Sequence, residues 1–448
     1  MEKEPVIGYA AIGNTKAFPE DIVKQVRSRG LELLKTLSKS VIEIPLFINS
    51  FEQMQRAVRQ INDAQVDILI MNICTWVEAG VTIRFFRELR GRNIILWSFA
   101  ARAEILPLTA LIEITSTITK LGYKFLTLLG SPDARSTVES LKSLISVFTS
   151  IQRVSNARVG LIGYSSPGMV DSTPDEISLR KCFGTELVHL DLHEVLSYFE
   201  KANASEAKTI AKSLVESVGA CEVSHGEVMS SVKLYLGLKA TVLKHELSAF
   251  TIRCWPELKG NLAGLSATPC YALSRLTDEG VIGACEADIS SAITMLLMKN
   301  LSGRLPVVLD FNTFIEPKNA LTFWHCGAHA TSIVNDMRAI TLRHPSEGGQ
   351  KEVHEGMALE CSLPPGAATL AKINREYTKI LASPIQFTKP SEEFRGGIAE
   401  GILETSAVGF IEAVIKEGIE HHVCAVYMDI VKELKLSAKL LDIKIIEF

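Results

Sequence analysis

"PVIGYAAIG" (5–13), "FPEDIVKQVRSRGLELLKTL" (18–37) and "SVIEIPLFI" (40–48) follow one another near the start of the chain. The first and third are continuous apolar runs of strand length, and the segment between them carries helical periodicity. An unbroken apolar run predicts a strand buried on both faces, and a helix between two such strands predicts a parallel sheet. The pattern continues through the runs "VDILIMNIC" (66–74), "NIILWSFA" (93–100) and "KFLTLLG" (124–130). Strand and helix alternating in this way predict a sheet covered by helices on both faces.

Outward from this unit, a second one opens at "RVGLIGYSS" (158–166), after the polar stretch "SIQRVSNA" (150–157), and continues through "TELVHLDL" (185–192) towards residue 318. From about residue 331 the texture changes. Turn formers punctuate the chain at "HPSEGG" (344–349), "SLPPGA" (362–367) and "SEEFRGG" (391–397), and the apolar runs shorten before a late helix in "MDIVKELKLSAKLLD" (428–442). The expected architecture is α/β: two Rossmann-like parallel-sheet domains, at 1–155 and 156–318, and a C-terminal β-barrel-like domain at 319–448. "RVGLIGYSSPG" lacks the G-x-G-x-x-G spacing, which argues against a nicotinamide or flavin site.

The composition agrees. A chain of 448 residues is long for one hydrophobic core. It is 47% hydrophobic and 22% charged, as soluble globular proteins are. A net charge of −4 offers no field for a polyanion, so nucleic acid is not an expected partner. No apolar run reaches the roughly 18 residues of a membrane span. The opening "MEKEPVIGYAAIG" goes straight into a strand-like run without a signal-peptide pattern, and the nine cysteines form no C-x-x-C pair. These features point to free thiols in a reducing cytoplasm.

"GACEADIS" (283–290) carries the first chemical signal. The segment reads as a buried helix that begins near Thr277 or Asp278 and ends before Gly303. Glu286 falls on its apolar stripe with Ile282, Ile289 and Ile293, while Asp288 projects away from it. A carboxylate on a buried face needs a cation, a metal or a proton. The next strand, "LPVVLDFN" (305–312), ends in Asp310, and "LTFWHCGAH" (321–329) brings His325. "GIEHHVCAVYMD" (418–429) then brings His421 and His422. Two carboxylates with one or two imidazoles on converging strands suit Mn²⁺, Mg²⁺ or Co²⁺ better than a structural zinc, which favours thiolates. Taken singly, each residue also has a plain structural reading: a buried ion pair, a strand-end turn, a packed histidine or a surface pair.

The run "CWPEL…LSRLTDEGVIGACEADISSAITMLLMKNLSG…VVLDF…LTFWHCGAH", with the late "HHVCAVYMD", resembles the L-fucose isomerase family, which is related to L-arabinose isomerase. "CTWVEAG" (74–80) and "ILWSFAARAE" (95–104) stand where that family carries tryptophan segments that complete a neighbouring subunit's pocket. The resemblance spans most of the chain. It implies three domains, a homo-trimer or homo-hexamer with shared sites, and a Mn²⁺-dependent aldose–ketose isomerase working through a cis-enediol. Residue by residue, it makes Glu286 and Asp310 metal ligands and the acid/base pair. It makes His422 the late ligand, with His421 the alternative should the register slip by one. His325 matches a ligand of the arabinose-type site, and Trp76 and Trp97 become pocket walls. Two departures, a shorter chain and Met428 where the family usually has glycine, place the identity of the sugar outside the resemblance.

Lys16 follows the first strand and Arg102 the fourth, where ligand-reading residues gather. Arginine's planar fork suits a sulfonate, phosphate or carboxylate. The expected substrate is therefore a free six-carbon aldose with an anionic group remote from C1; the family resemblance implies sulfoquinovose as an example, since relatives take anionic sugars of that kind. The alternatives are a neutral sugar of the L-fucose or L-arabinose type, or a non-catalytic sugar-binding protein of the same fold.

Overall fold

β1 (Ile7–Ile12), β2 (Val41–Ile48), β3 (Ile68–Ile73), β4 (Asn93–Ser98) and β5 (Leu126–Leu129) pair in parallel in the order β2–β1–β3–β4–β5. Every residue of β1 and β3 is buried, as strands between two helical layers require, whereas the edge strand β5 alternates buried and exposed. The helix Glu20–Leu37 packs Ile22, Val23, Val26, Leu31 and Leu34 inward. It can sit this close because residue 30 is glycine: a Cβ there would lie 2.6 Å from the Tyr9 hydroxyl and 2.9 Å from Asn72 Nδ2. Those two groups share a buried hydrogen bond of 2.7 Å that ties β1 to β3.

The computed structural model describes residues 4–99, 102–345, 354–391 and 395–448. The chain divides into two compact units, 1–149 and 150–448. Parts of the stretches at 95–104, 344–349 and 391–397 singled out above lie outside the described residues.

The second unit contains β6 (Arg158–Ile162), β7 (Glu186–Leu190), a short β8 (Ala220–Cys221), β9 (Ala249–Ile252) and β10 (Ile282–Ala284). Four of them form a parallel sheet in the order β10–β9–β6–β7. The remaining strands are β11 (Val307–Ile315), β12 (Ala320–His325), β13 (Thr341–Arg343), β14 (Ala358–Ser362), β15 (Gly366–Ile373), β16 (Lys379–Thr388), β17 (Gly397–Ile402), β18 (His422–Val426) and β19 (Lys444–Glu447). With β8 they make one mixed sheet in the order β19–β16–β15–β18–β11–β12–β17–β14–β13–β8. β17 also pairs with β16, so the pairings of β16, β15, β18, β11, β12 and β17 return to their start. The protein is thus a mixed α/β chain with two parallel sheets and one large mixed sheet. No helix among the described residues is long and apolar enough to cross a membrane.

The helix expected from Thr277 to Gly303 does not form as one element. One helix, Cys270–Asp278, ends where Gly280 takes a φ of +96°, and a second, Ile289–Ser302, starts after β10. Ile282–Ala284 is a buried strand paired with Ala249–Thr251 of β9. A short apolar strand between two helices mimics one helical stripe, because periodicity alone cannot separate buried strand from buried helix over so few residues. Glu286 therefore sits in the turn between strand and helix, not on a helix face. It and Ala287 take left-handed φ values of +60° and +61°, a conformation that non-glycine residues rarely adopt and that clusters at functional sites.

Candidate active site and metal centre

Three segments converge in the second unit: the turn after β10, the middle of β11 and the start of β18. The β10 turn brings Glu286, held by Ser166 Oγ, which donates to the Glu286 carbonyl at 2.8 Å. The antiparallel register of β11 and β18 sets Asp310 directly opposite His422, and opposed residues on paired strands share a face. His422 Nε2 lies 3.2 Å from Glu286 Oε2 and 3.3 Å from Asp310 Oδ1. Neither contact is aligned as a hydrogen bond, so this buried ring nitrogen has no hydrogen-bonding partner among the described residues. His421 Nε2 stands 3.9 Å from each of the same carboxylates. The ligand atoms of Asp310, His325 and His422 lie within 4.8 Å of one another, and so do those of Glu286, His421 and His422.

The side chain of His422 is fixed from behind. Its Nδ1–H donates to Asp288 Oδ2 at 2.8 Å, leaving Nε2 as the nitrogen that faces Glu286 and Asp310. Asp288 also caps the helix Ile289–Ser302, accepting from Ser291 N at 2.9 Å, and receives Lys372 Nζ at 2.7 Å. Contrary to the sequence reading, Asp288 is the more deeply buried carboxylate: it is 1% exposed, against 19% for the Glu286 side chain. Its negative charge is stabilised by Lys372 and His422, which hold its pKa well below the usual carboxylate range despite burial.

Burial pushes both site carboxylates up, but the outcomes differ. Contacts with His421 and His422 more than reverse it for Glu286, whose pKa falls well below normal. At Asp310 burial prevails and the pKa is raised. His422 rises to about 9, because Asp288, Glu286 and Asp310 outweigh burial. His421 also rises to about 9, first through Glu286 and then through Asp171, whose carboxylate lies 2.6 Å from His421 Nδ1.

Of the remaining residues singled out in the sequence, His325 joins this group and the others fall elsewhere. His325 is buried beside His422, with ring centroids 5.8 Å apart. Its Nδ1 accepts from the Cys326 N–H at 2.7 Å. Nearby negative charge favours protonating this ring against its burial, but with Nδ1 engaged only Nε2 is left to carry a proton. Trp97 is completely enclosed in the first unit, where its indole N–H donates to the Gly130 carbonyl at 3.0 Å. As placed it offers no surface for a pocket wall, because the centre of a parallel sheet buries both faces. Trp76 is 37% exposed and donates to Glu113 at 3.2 Å. Lys16 and Arg102 are exposed, and Arg102 has only a loose contact of 3.5 Å to Glu104.

Sequence reasoning missed three members of the constellation: Asp288 as the group that orients His422, Lys372 behind it, and Asp171 beside His421. Lys372 did leave a signal, a lone lysine in the apolar run "GAATLAKI", since lysine is almost never fully buried unpaired. Asp171 left none, because it meets His421 across 250 residues.

The donor chemistry fits a divalent cation. Two carboxylates and an imidazole whose second nitrogen is tied to a carboxylate form the usual second-sphere arrangement of a metal-binding histidine. A cation held by His422 would compete with the proton on that ring, which yields a pH test. A raised folded pKa stabilises the cation-free protein fully below the ordinary 6.5, and that stabilisation disappears as pH rises through about 9. Mn²⁺ affinity should therefore climb by up to about tenfold per pH unit per displaced proton over that window, then level off. Calorimetric titration in buffers of different ionisation enthalpy would reveal the released protons, and an affinity flat from pH 6.5 to 9 would contradict this.

With this geometry in hand, the class is legible from similarity as well: the chain resembles sugar isomerases along nearly its whole length. It is 25% identical over 448 residues to a sulfoquinovose isomerase of Priestia aryabhattai, covering 97% of each chain. It is 21% identical over 453 residues to a sulfoquinovose isomerase of a Clostridium species, covering 98% of each. An L-arabinose isomerase of Mannheimia succiniciproducens is 21% identical over 334 residues, 71% of this chain and 66% of that one. No protein-family model matches the chain.

Proposed function

We propose that the chain is a divalent-cation-dependent aldose–ketose isomerase acting on a free anionic hexose of the sulfoquinovose type. The observation that carries this reading is the convergence of Glu286, Asp310 and the unpartnered His422 Nε2, in a chain similar from end to end to sulfoquinovose isomerases. Glu286, Asp310 and His422 hold the cation, with Mn²⁺ preferred and Mg²⁺ or Co²⁺ as substitutes. When bound, the cation would act as a Lewis acid towards the sugar and stabilise the negative charge that develops during isomerisation.

The rest is done by the protein. Isomerisation moves a proton between C2 and C1 through a cis-enediol, while the hydroxyl protons shift in the opposite sense. The two carboxylates sit in environments that push their pKa values apart, which is how one site assigns base and acid. Glu286 and Asp310 are the acid/base pair: one takes the carbon-bound proton and the other serves the hydroxyl transfer. His421, aligned by Asp171, adds positive charge beside both. His325 was expected as a fourth ligand. With Nδ1 engaged by the backbone, its Nε2–H acts instead as a hydrogen-bond donor into the site.

The finer parts of the reading rest on sequence resemblance. They are the L-fucose isomerase-like relationship and a homo-trimer or homo-hexamer in which Trp76 walls a neighbour's pocket; beside them stand three readings from the residues themselves, the division at 1–155, 156–318 and 319–448 with a barrel-like third domain, a cytoplasmic location, and Lys16 and Arg102 at strand ends as contacts for the sugar's anionic group.

The substrate test is a panel of aldoses given to the Mn²⁺-loaded protein, with ketose detected directly by NMR. Sulfoquinovose should be converted with a kcat/KM at least about 100-fold above L-fucose and L-arabinose, because a site built for a buried charge rejects analogues that leave it unpaired. Arg102→Met should raise KM for the anionic sugar far more than for a neutral one. Equal turnover of neutral and anionic sugars would remove the anion reading, and no ketose from any aldose would favour the non-catalytic alternative.

A further inference from the structure

The rim that carries Glu286 also carries a cation that the isomerisation chemistry leaves unused. β6, β9 and β10 are neighbours in one parallel sheet, so their C-terminal ends lie together. The Ala287 N–H donates to the Ile252 carbonyl at 3.3 Å, and Ser166 Oγ, in the loop after β6, donates to the Glu286 carbonyl at 2.8 Å. Arg253 directly follows Ile252, and its own N–H donates to the Ile162 carbonyl at 3.1 Å. Arg253 is therefore built into the same strand-end rim as Glu286, where the ligands of open α/β sheets gather.

Its guanidinium is held but not saturated. Nη2 pairs with Glu257 Oε1, and the guanidinium carbon lies 5.2 Å from the centre of the Tyr164 ring, a cation–π contact. The inner edge lies over the turn after β6: a Cβ added at Gly163 would stand 4.0 Å from Arg253 Nε. The Arg253 side chain is 16% exposed, yet its buried Nε–H has no acceptor among the described residues. A guanidinium carries five donors, so one carboxylate does not saturate it, and a buried donor left unpaired is unfavourable. Lys372 and Arg343, which are more deeply enclosed, are committed to Asp288 and Glu360.

A substrate that carries its own negative charge needs a cation to offset it, the more so beside Glu286 and Asp310. We infer that Arg253 binds the anionic group of a six-carbon aldose, its Nε–H donating to one of the group's oxygens, while Glu257 and Tyr164 position the guanidinium. This role rests on the anionic-sugar reading above. It puts the residue that reads the charge on the same sheet as Glu286, whereas Arg102 belongs to the first unit. A sulfonate suits the position because it offers several acceptor oxygens to a planar fork.

Steady-state kinetics of the full-length, Mn²⁺-loaded protein would compare sulfoquinovose with D-glucose, which carries a neutral hydroxyl in place of the sulfonate. Arg253→Met should lower the ratio of kcat/KM for sulfoquinovose over D-glucose by about 30-fold or more, with KM carrying the loss, because the bound anion loses its partner. Arg253→Lys should fall between, since lysine keeps the charge without the fork. Arg253→Met/Glu257→Gln should not restore the ratio, although it removes the carboxylate that the single variant leaves unpaired. An unchanged ratio in Arg253→Met, or its recovery in the double variant, would overturn the role and leave a structural ion pair. An unmodified enzyme that isomerised D-glucose as readily as sulfoquinovose would remove the anionic-sugar reading itself, and the role of Arg253 with it. Should the variants fail to fold, or D-glucose not be turned over, the structure of the unmodified protein with bound sulfoquinovose decides the matter. A sulfonate oxygen about 3 Å from the Arg253 guanidinium supports the role. A sulfonate bound elsewhere overturns it while leaving the anionic-sugar reading intact.

Discussion

Glu286→Gln should yield a folded protein that isomerises its sugar about 10³-fold or more slowly, at any Mn²⁺ concentration. Glutamine keeps the volume and one carbonyl oxygen, so the turn bonded through the Glu286 main-chain carbonyl to Ser166 is preserved. What disappears is a negative charge 3.2 Å from His422 and 3.9 Å from His421. Removing a general base ordinarily costs about 10² to 10⁴ in rate, and here the same change weakens cation binding. The two losses separate experimentally. Saturating Mn²⁺ should restore binding, seen by calorimetry, without restoring turnover. If Glu286 takes the carbon-bound proton, exchange of the C2 proton with deuterated solvent should fall in step with turnover. Near-native exchange in the variant would transfer that role to Asp310. If Asp310→Asn also kept near-native turnover, the site would have to be placed elsewhere in the chain.

Lys372→Met should have the largest effect on stability. Lys372 is fully enclosed, bonded to Asp288 at 2.7 Å and to Ser291 Oγ at 2.8 Å. Removing one partner of a buried ion pair leaves an uncompensated charge and costs about 3–5 kcal/mol. Three elements meet at this pair: β15 through Lys372, the N-terminus of the helix Ile289–Ser302 through Asp288, and β18 through His422. The variant should therefore unfold at markedly lower urea concentration. It should also bind Mn²⁺ about 10- to 100-fold more weakly, as loss of an outer-shell partner does. Adding Asp288→Asn should recover part of the stability, because asparagine can still cap the helix but carries no charge to strand. No rescue would mean that the loss comes from packing of the lysine stem and not from its charge.

The residue pattern alone determined the parallel sheets and singled out candidate cation donors. Unbroken apolar runs such as "VDILIMNIC" can be buried only between two layers, so the parallel sheets were legible in the chain. Glu286, Asp310 and the pair His421 and His422 stood out because a charged or imidazole group at the edge of an apolar run demands a partner. What only the tertiary structure decided were relations between residues far apart in the chain. The left-handed turn that points Glu286 into the site was hidden inside a false helical stripe, since three residues of strand are too few to show a period of two. Asp288 looked like the outward-facing carboxylate. It became the buried anchor of His422 only because Lys372, 84 residues away, closes over it. Trp97 looked like a strand-end wall and is core, because the neighbouring strands and helices cover it. Local propensity and burial are written in the order of residues, whereas the pairing of buried charges depends on which strand ends the fold brings together.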